Sequence, residues 1–166
     1  VDPIDGTDNF VRAVPVWATL IALVDAGTPV LGLVAAPALG RRWWAALGSG
    51  AWAGRSLTSA KQIHVSHVSR LADASLSCSG YTSWAALDRE EEMLDLARAC
   101  WRERAYGDFW AYMLLAEGRL EPQGCLLRGL PAGVAALDAA FAERLSLTDG
   151  ELDLGGPAQV VLGAEL

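Results

Sequence analysis

Lysine is almost absent from this chain: Lys61 stands alone against twelve arginines, and the formal net charge is −7. With a pI near 4.7, the chain argues against nucleic-acid binding, which needs Lys and Arg grouped to neutralise phosphates. Cysteine is also scarce. Cys78, Cys100 and Cys125 are odd in number and form no C-x-x-C pair, which disfavours a zinc site or a disulfide framework and fits a reducing cytoplasm. Long apolar runs are missing: the stretch from Val14 to Val24 stops at Asp25, too short to cross a bilayer, so no membrane partner is expected. No signal segment, repeat or low-complexity linker is visible. Nor is there an opening Met. The chain begins at Val1 and runs straight into a dense polar motif, so the expectation is a fragment of a longer protein.

Hydrophobic residues make up 52% of the 166 positions and charged residues 20%, enough to bury one core. Residues 1–10 read as a polar, turn-rich loop. Residues 16–24 are continuously apolar, as in a strand buried on both faces. Ala26-Gly27-Thr28-Pro29 is a turn signal before a second β-rich run, Val30 to Ala35, so 16–35 reads as a hairpin. Trp43 to Ala46 and the glycine-punctuated stretch Gly48–Gly54 extend it into an antiparallel meander. Beyond Arg55 the pattern turns mixed. Ala74–Ser79 is a short strand candidate. Leu87–Trp101 has helical apolar spacing behind an acidic start, which suits the positive end of a helix dipole. Phe109–Glu117 is a second helix, with Gly118 as its C′ residue. Ala132–Arg144 is a third helix and Gln159–Leu162 a last strand.

The chemistry concentrates in Asp2-Pro3-Ile4-Asp5-Gly6-Thr7. Two carboxylates three residues apart can share a hard cation such as Mg²⁺. Pro3 stiffens the backbone between them, and the Ile4 carbonyl can turn inward as a third oxygen ligand. Gly6 allows close backbone approach, and the N–H groups of Gly6 and Thr7 can hold an anion. The Thr7 hydroxyl can orient a water. Together these groups point to metal-assisted phosphoester hydrolysis. The same residues taken alone also make an ordinary Asx-turn, and on this chemistry both readings stand.

The longer string Asp2 to Phe10, Asp-Pro-Ile-Asp-Gly-Thr-x-Asn-Phe, resembles the metal-binding signature of the inositol monophosphatase-like phosphatases. Val14–Leu23, Ala36–Ala46 and Arg104–Leu114 resemble in particular the actinobacterial branch known as histidinol-phosphate phosphatases. The similarity covers residues 1–122. It implies an α/β fold, a layered α/β/α/β/α sandwich lacking here its N-terminal helical segment, within a single partial domain: 1–55 with the motif and antiparallel strands, 56–166 as the C-terminal α/β part. It also implies Mg²⁺ dependence, hydrolysis of L-histidinol phosphate in histidine biosynthesis, a small phosphorylated substrate and a possible homodimer. By the resemblance, Asp2, Asp5 and the Ile4 carbonyl bind metal. Gly6 and Thr7 hold the phosphate, and Asp5 and Thr7 are the catalytic pair that help activate the water.

Two substrate-binding candidates follow. Asp108, at a helix start where inositol phosphatases carry a small residue, could receive the cationic amine or imidazole of the substrate; a helix N-cap fits it equally. Glu121 matches a family glutamate facing the leaving group, with an exposed surface acid as the plain alternative. Arg104 would pair with either acid or lie at the surface. Trp43 and Trp44 read as sheet packing, His64 and His67 as surface polar residues, and Cys78 and Cys100 as buried small hydrophobes. A metal-binding glutamate upstream of the first motif and a later Trp-Asp motif, due near 127–128 or 132–133, are not found. Residues 123–134 resemble no family segment, and a local reading-frame error or a degenerate copy is the expectation there. With fewer carboxylates, metal affinity should fall, and apolar runs such as 16–24 should lie partly exposed.

Overall fold

The computed structural model describes residues 1–78, 81–86, 88 and 90–120. The helix expected at 132–144, the strand at 159–162, Glu121, Cys125 and the divergent 123–134 lie outside these residues.

The meander is present and longer than expected. Strands β1 (Asp2–Asp5), β2 (Ala18–Asp25), β3 (Thr28–Ala36), β4 (Arg41–Ala46), β5 (Gly50–Gly54) and β6 (Lys61–Ile63) pair in sequence order into one antiparallel sheet. The first ten residues are not the loop their polarity predicts: β1 joins the sheet edge, and a five-residue helix α1 (Thr7–Val11) follows. The β2–β3 hairpin turns on Ala26 and Gly27, at φ 46° and 83°. Two positive φ values in a two-residue turn match the twist of the strands it joins, so Thr28 and Pro29 are released into β3.

β2 is buried on one face rather than two. The register Leu20–Val34–Trp43–Ala53 lies on the inner face, and all four side chains are buried. Because side chains alternate across a strand, Ile21 and Leu23 point outward with Leu33, Leu31 and Trp44 opposite them or beyond. Ile21 and Leu23 are 38% and 58% exposed, in line with the partial exposure expected of this run.

The second half is α/β. Strands β7 (Ser75–Ser77) and β8 (Arg102–Arg104) pair in parallel, joined through helices α2 (Tyr81–Ala85) and α3 (Glu90–Ala99). The helix expected from Leu87 thus starts at Glu90, with Glu90, Glu91 and Glu92 in its first turn. Helix α4 (Asp108–Ala116) buries Phe109, Ala111, Tyr112, Met113, Leu115 and Ala116. A helix buried around most of its circumference is an internal layer. Phe109 meets Trp43 edge to face, ring centroids 6.1 Å apart, which fastens α4 to the inner face of the sheet. Trp84, Met93 and Cys78 belong to the same core cluster. Cys100 is half-buried rather than buried, and His64 and His67 are exposed. Among the described residues no helix is long and apolar enough to cross a membrane.

The C-terminal end of α4 is held by a group that sequence reasoning passed over. Glu117, its side chain 6% exposed, accepts from Arg41 Nη2 at 2.5 Å, Trp43 Nε1 at 2.7 Å and Arg119 Nε at 2.9 Å. A buried carboxylate is tolerated when paired and hydrogen-bonded in this way. Gly118 follows at φ 68°, with the 64–66 backbone packed against it, as a C′ glycine should be.

Candidate active site

The motif Asp2–Thr7 runs along the sheet edge and turns away from it. β1 pairs with β2 through Asp2–Leu20 and Asp5–Ala18, with an irregular register between. Thr19 Oγ1 donates to the Pro3 carbonyl at 2.8 Å, tying the stiff proline segment to β2. The Ile4 N–H donates to Asp2 Oδ1 at 3.1 Å, so the Asx-type turn open at the sequence level is present at Asp2. Gly6 then reverses the chain at φ 77°; a Cβ there would stand 2.8 Å from the Val16 carbonyl oxygen, so only glycine fits both the conformation and the space.

Thr7 Oγ1 donates to the Ile4 carbonyl at 2.8 Å. That bond fixes the hydroxyl proton and leaves its lone pairs to accept. A carbonyl oxygen has two lone pairs, so Ile4 can accept from Thr7 and still offer a second electron pair. Thr7 opens α1, where the first backbone N–H groups have no intrahelical partner.

Across the chain, the start of α4 docks on the same turn. The Phe109 N–H donates to Asp5 Oδ2 at 2.7 Å. The N-cap position of α4 falls on Gly107, which has no side chain to cap with; Asp108 is not the N-cap, and Asp5 supplies the capping carboxylate from 104 residues away. Asp108, at φ 46°, accepts from Asn9 Nδ2 at 2.6 Å through Oδ2. The same Asn9 nitrogen donates to the Val16 carbonyl at 2.9 Å. Arg104 donates to the Glu103 carbonyl at 2.6 Å and is exposed. The structure therefore brings Asp2, Ile4, Asp5, Gly6, Thr7 and Asp108 to one place and adds Asn9, whose reach to Asp108 leaves no local mark in the sequence.

Asp5 is 9% exposed, and its carboxyl is raised from 3.8 to about 6. Burial is the main cause; the Phe109 N–H opposes it, and the Asp108 and Asp2 carboxylates add to it. This is the electrostatics of a site that would welcome a cation. Asp2, Asp5 and the Ile4 carbonyl are all hard oxygen donors, and Mg²⁺ typically takes one or two protein carboxylates while keeping several waters. The donor set therefore fits Mg²⁺, although among the described residues no group of three or more His, Cys, Asp or Glu side chains is gathered to hold a metal.

Comparison with known proteins agrees with the motif. The sequence pattern described as the Inositol monophosphatase family matches residues 1–122. A histidinol-phosphatase of Streptomyces coelicolor is 59% identical over 125 residues, 73% of this chain and 47% of that protein. A histidinol-phosphatase of Mycobacterium tuberculosis is 48% identical over 157 residues, 90% of this chain and 58% of that one. Among solved structures, Mycobacterium tuberculosis SuhB superposes with a TM-score of 0.68 at 26% identity, covering 85% of this chain and 58% of that one. A Thermotoga maritima IMPase gives 0.67 at 28% identity, covering 86% and 52%. The chain thus spans about half the length of the curated relatives it matches.

Proposed function

Because this chain belongs to the inositol monophosphatase family, we propose that it acts as a Mg²⁺-dependent phosphomonoesterase whose substrate is L-histidinol phosphate, a step of histidine biosynthesis. The observation that carries the reading is the docking of Asp108 beside Asp5 and Gly6. It sets a carboxylate next to the Gly6 turn, an arrangement that would suit a substrate with a phosphate at one end and a cationic amine or imidazole at the other. The names of the two histidinol-phosphatases support the same substrate.

In this reading Asp2, Asp5 and the Ile4 carbonyl would hold Mg²⁺, which supplies Lewis-acid polarisation of the phosphoryl group and a more acidic water. The backbone N–H groups of Gly6 and Thr7 receive phosphate oxygens. Thr7, its proton committed to Ile4, accepts a hydrogen bond from the attacking water and aims its oxygen at phosphorus. The water oxygen bonds to phosphorus and gives up a proton to solvent as the ester P–O bond breaks, and the alcohol leaves with a proton taken up from solvent. Asp5 keeps the start of α4 against the motif through Phe109, so Asp108 faces the amine end. Glu121, outside the described residues, would meet the leaving group. A homodimer, implied by resemblance, is read by sedimentation.

Phosphate release from histidinol phosphate, inositol 1-phosphate and glycerol 2-phosphate, with Mg²⁺ and with EDTA, tests the proposal. Preference for histidinol phosphate, abolished by EDTA and by Asp2→Asn, is expected; a preference for inositol 1-phosphate would transfer the chemistry to a neutral polyol. A second reading, a chain that binds Mg²⁺ weakly and does not turn over, is favoured by the small donor set of the described residues. Calorimetric titration with millimolar Mg²⁺ separates them: no heat of binding favours the inactive chain.

A further inference from the structure

Asn9 joins three parts of the chain that the motif does not itself connect. Its amide nitrogen carries two hydrogens. One goes to the Val16 carbonyl at the entrance to β2 and the other to Asp108 Oδ2 at the first turn of α4. A carbonyl and an ionised carboxylate can only accept, so chemistry fixes which end of the amide faces them. At 2.6 Å the bond is short for an N–H donor, as a carboxylate acceptor favours.

The same spot is crowded from the other side. The position a Cβ on Gly6 would occupy lies 2.8 Å from the Val16 oxygen and 3.2 Å from Asp108 Oδ2. Gly6, Val16, Asp108 and Asn9 therefore converge on the turn that follows the two candidate metal-binding aspartates. Asp108 reaches it in a left-handed conformation, φ 46°, which L-residues with side chains adopt at a cost. A strained backbone persists where its surroundings determine it, and here one determinant is an amide 99 residues earlier in the chain.

We infer that Asn9 is a positioning residue for substrate selection: its amide pins the Asp108 carboxylate against the Gly6 turn, so that a cationic group on the substrate meets a negative charge held at a set place beside the phosphate. The inference rests on the proposed role of Asp108 toward the substrate. Without the amide, Asp108 keeps its charge but loses its fixed direction, and the advantage of a cationic over a neutral phosphomonoester shrinks.

The test is a specificity ratio on the full chain with Mg²⁺: kcat/KM for histidinol phosphate divided by kcat/KM for glycerol 2-phosphate. Asn9→Ala should lower the ratio about tenfold, the size of one hydrogen bond to a charged group. Asp108→Ala should lower it at least as much, and the double variant no further than Asp108→Ala alone. Asn9→Leu, close in shape, neutral and without the donor, should lower the ratio about as far as Asn9→Ala. In urea unfolding, the Asn9→Ala and Asp108→Ala losses should be non-additive. A wild-type preference that survives both Asn9 variants, or strictly additive unfolding losses, overturns this inference alone. A wild-type chain with no preference for the cationic substrate overturns the proposed function and this inference with it. If Asn9→Ala does not fold, the Asn9→Leu ratio decides.

Discussion

Replacing Asp5 by Asn should make the metal-free protein more stable, although Asp5 sits at the centre of its candidate site. The Asp5 carboxyl is nearly buried and raised from 3.8 to about 6. The folded chain therefore keeps a proton on Asp5 up to about pH 6, whereas the unfolded chain releases it near the ordinary carboxylate value. For an acid raised by folding, the relative stability is greatest below pH 4 or so and is lost as pH rises through the folded value. A shift of roughly two pK units corresponds to about 3 kcal/mol of destabilisation by pH 7.5, of which about 1.5 kcal/mol develops between pH 5 and pH 7.5. Asparagine stays neutral throughout, and its oxygen can still accept the Phe109 N–H. Its amide hydrogens need partners of their own, which returns about 1 kcal/mol. Asp5→Asn should thus gain about 1–2 kcal/mol at pH 7.5 in EDTA and lose this part of the pH slope. Urea unfolding followed by the fluorescence of the seven tryptophans reads both quantities. Adding Mg²⁺ should stabilise the wild type and leave Asp5→Asn nearly unchanged, since a ligand stabilises only the state that binds it. A variant less stable than wild type at pH 7.5 in EDTA, or one with an unchanged pH slope, would refute this account of Asp5.

Three other perturbations follow from the packing. Glu117→Ala removes the acceptor shared by Arg41, Trp43 and Arg119 and should cost about 3 kcal/mol in urea unfolding; a cost under about 1 kcal/mol would show that the clasp is not structural. Gly118→Ala forces a side chain into φ 68° with its Cβ 2.9 Å from the His64 carbonyl oxygen, and should cost at least about 2 kcal/mol by the same measurement. The Cys78 thiol is pushed up to about 11 by burial and then by Glu103. Iodoacetamide at pH 8 should therefore modify Cys100 well before Cys78, because the thiolate is the reactive form. Equal labelling in peptide maps would contradict the burial of Cys78.

Much of the architecture was legible in the residues. Glycine and alanine punctuation between β-rich runs marks the hairpins, and at the Ala26-Gly27 turn both residues take positive φ, which Gly27 adopts freely and Ala26 at a cost. Gly118 ends α4 for a related reason. Reading failed where neighbours in space, not in sequence, decide. The apolar run of β2 looks buried on both faces, but the described structure packs only the Leu20 side. Residues 1–10 look like a loop because they are rich in polar and turn-forming residues, yet edge pairing with β2 makes four of them a strand.

The candidate site divides along the same line. The sequence by itself determined the candidate donor set: two carboxylates around Pro3-Ile4, a glycine and a hydroxyl, all within six residues, in a chain of the inositol monophosphatase family. These are properties of residue type and spacing, and they survive without a fold. The tertiary structure alone decided that Asp5 caps α4 across 104 residues, that Asn9 holds Asp108 across 99, and that Glu117 is a buried clasp rather than a surface acid. Each is a donor meeting an acceptor only after α4 settles on the sheet through Phe109 and Trp43. Apolar packing brings the polar groups together, and no local pattern records which of them will meet.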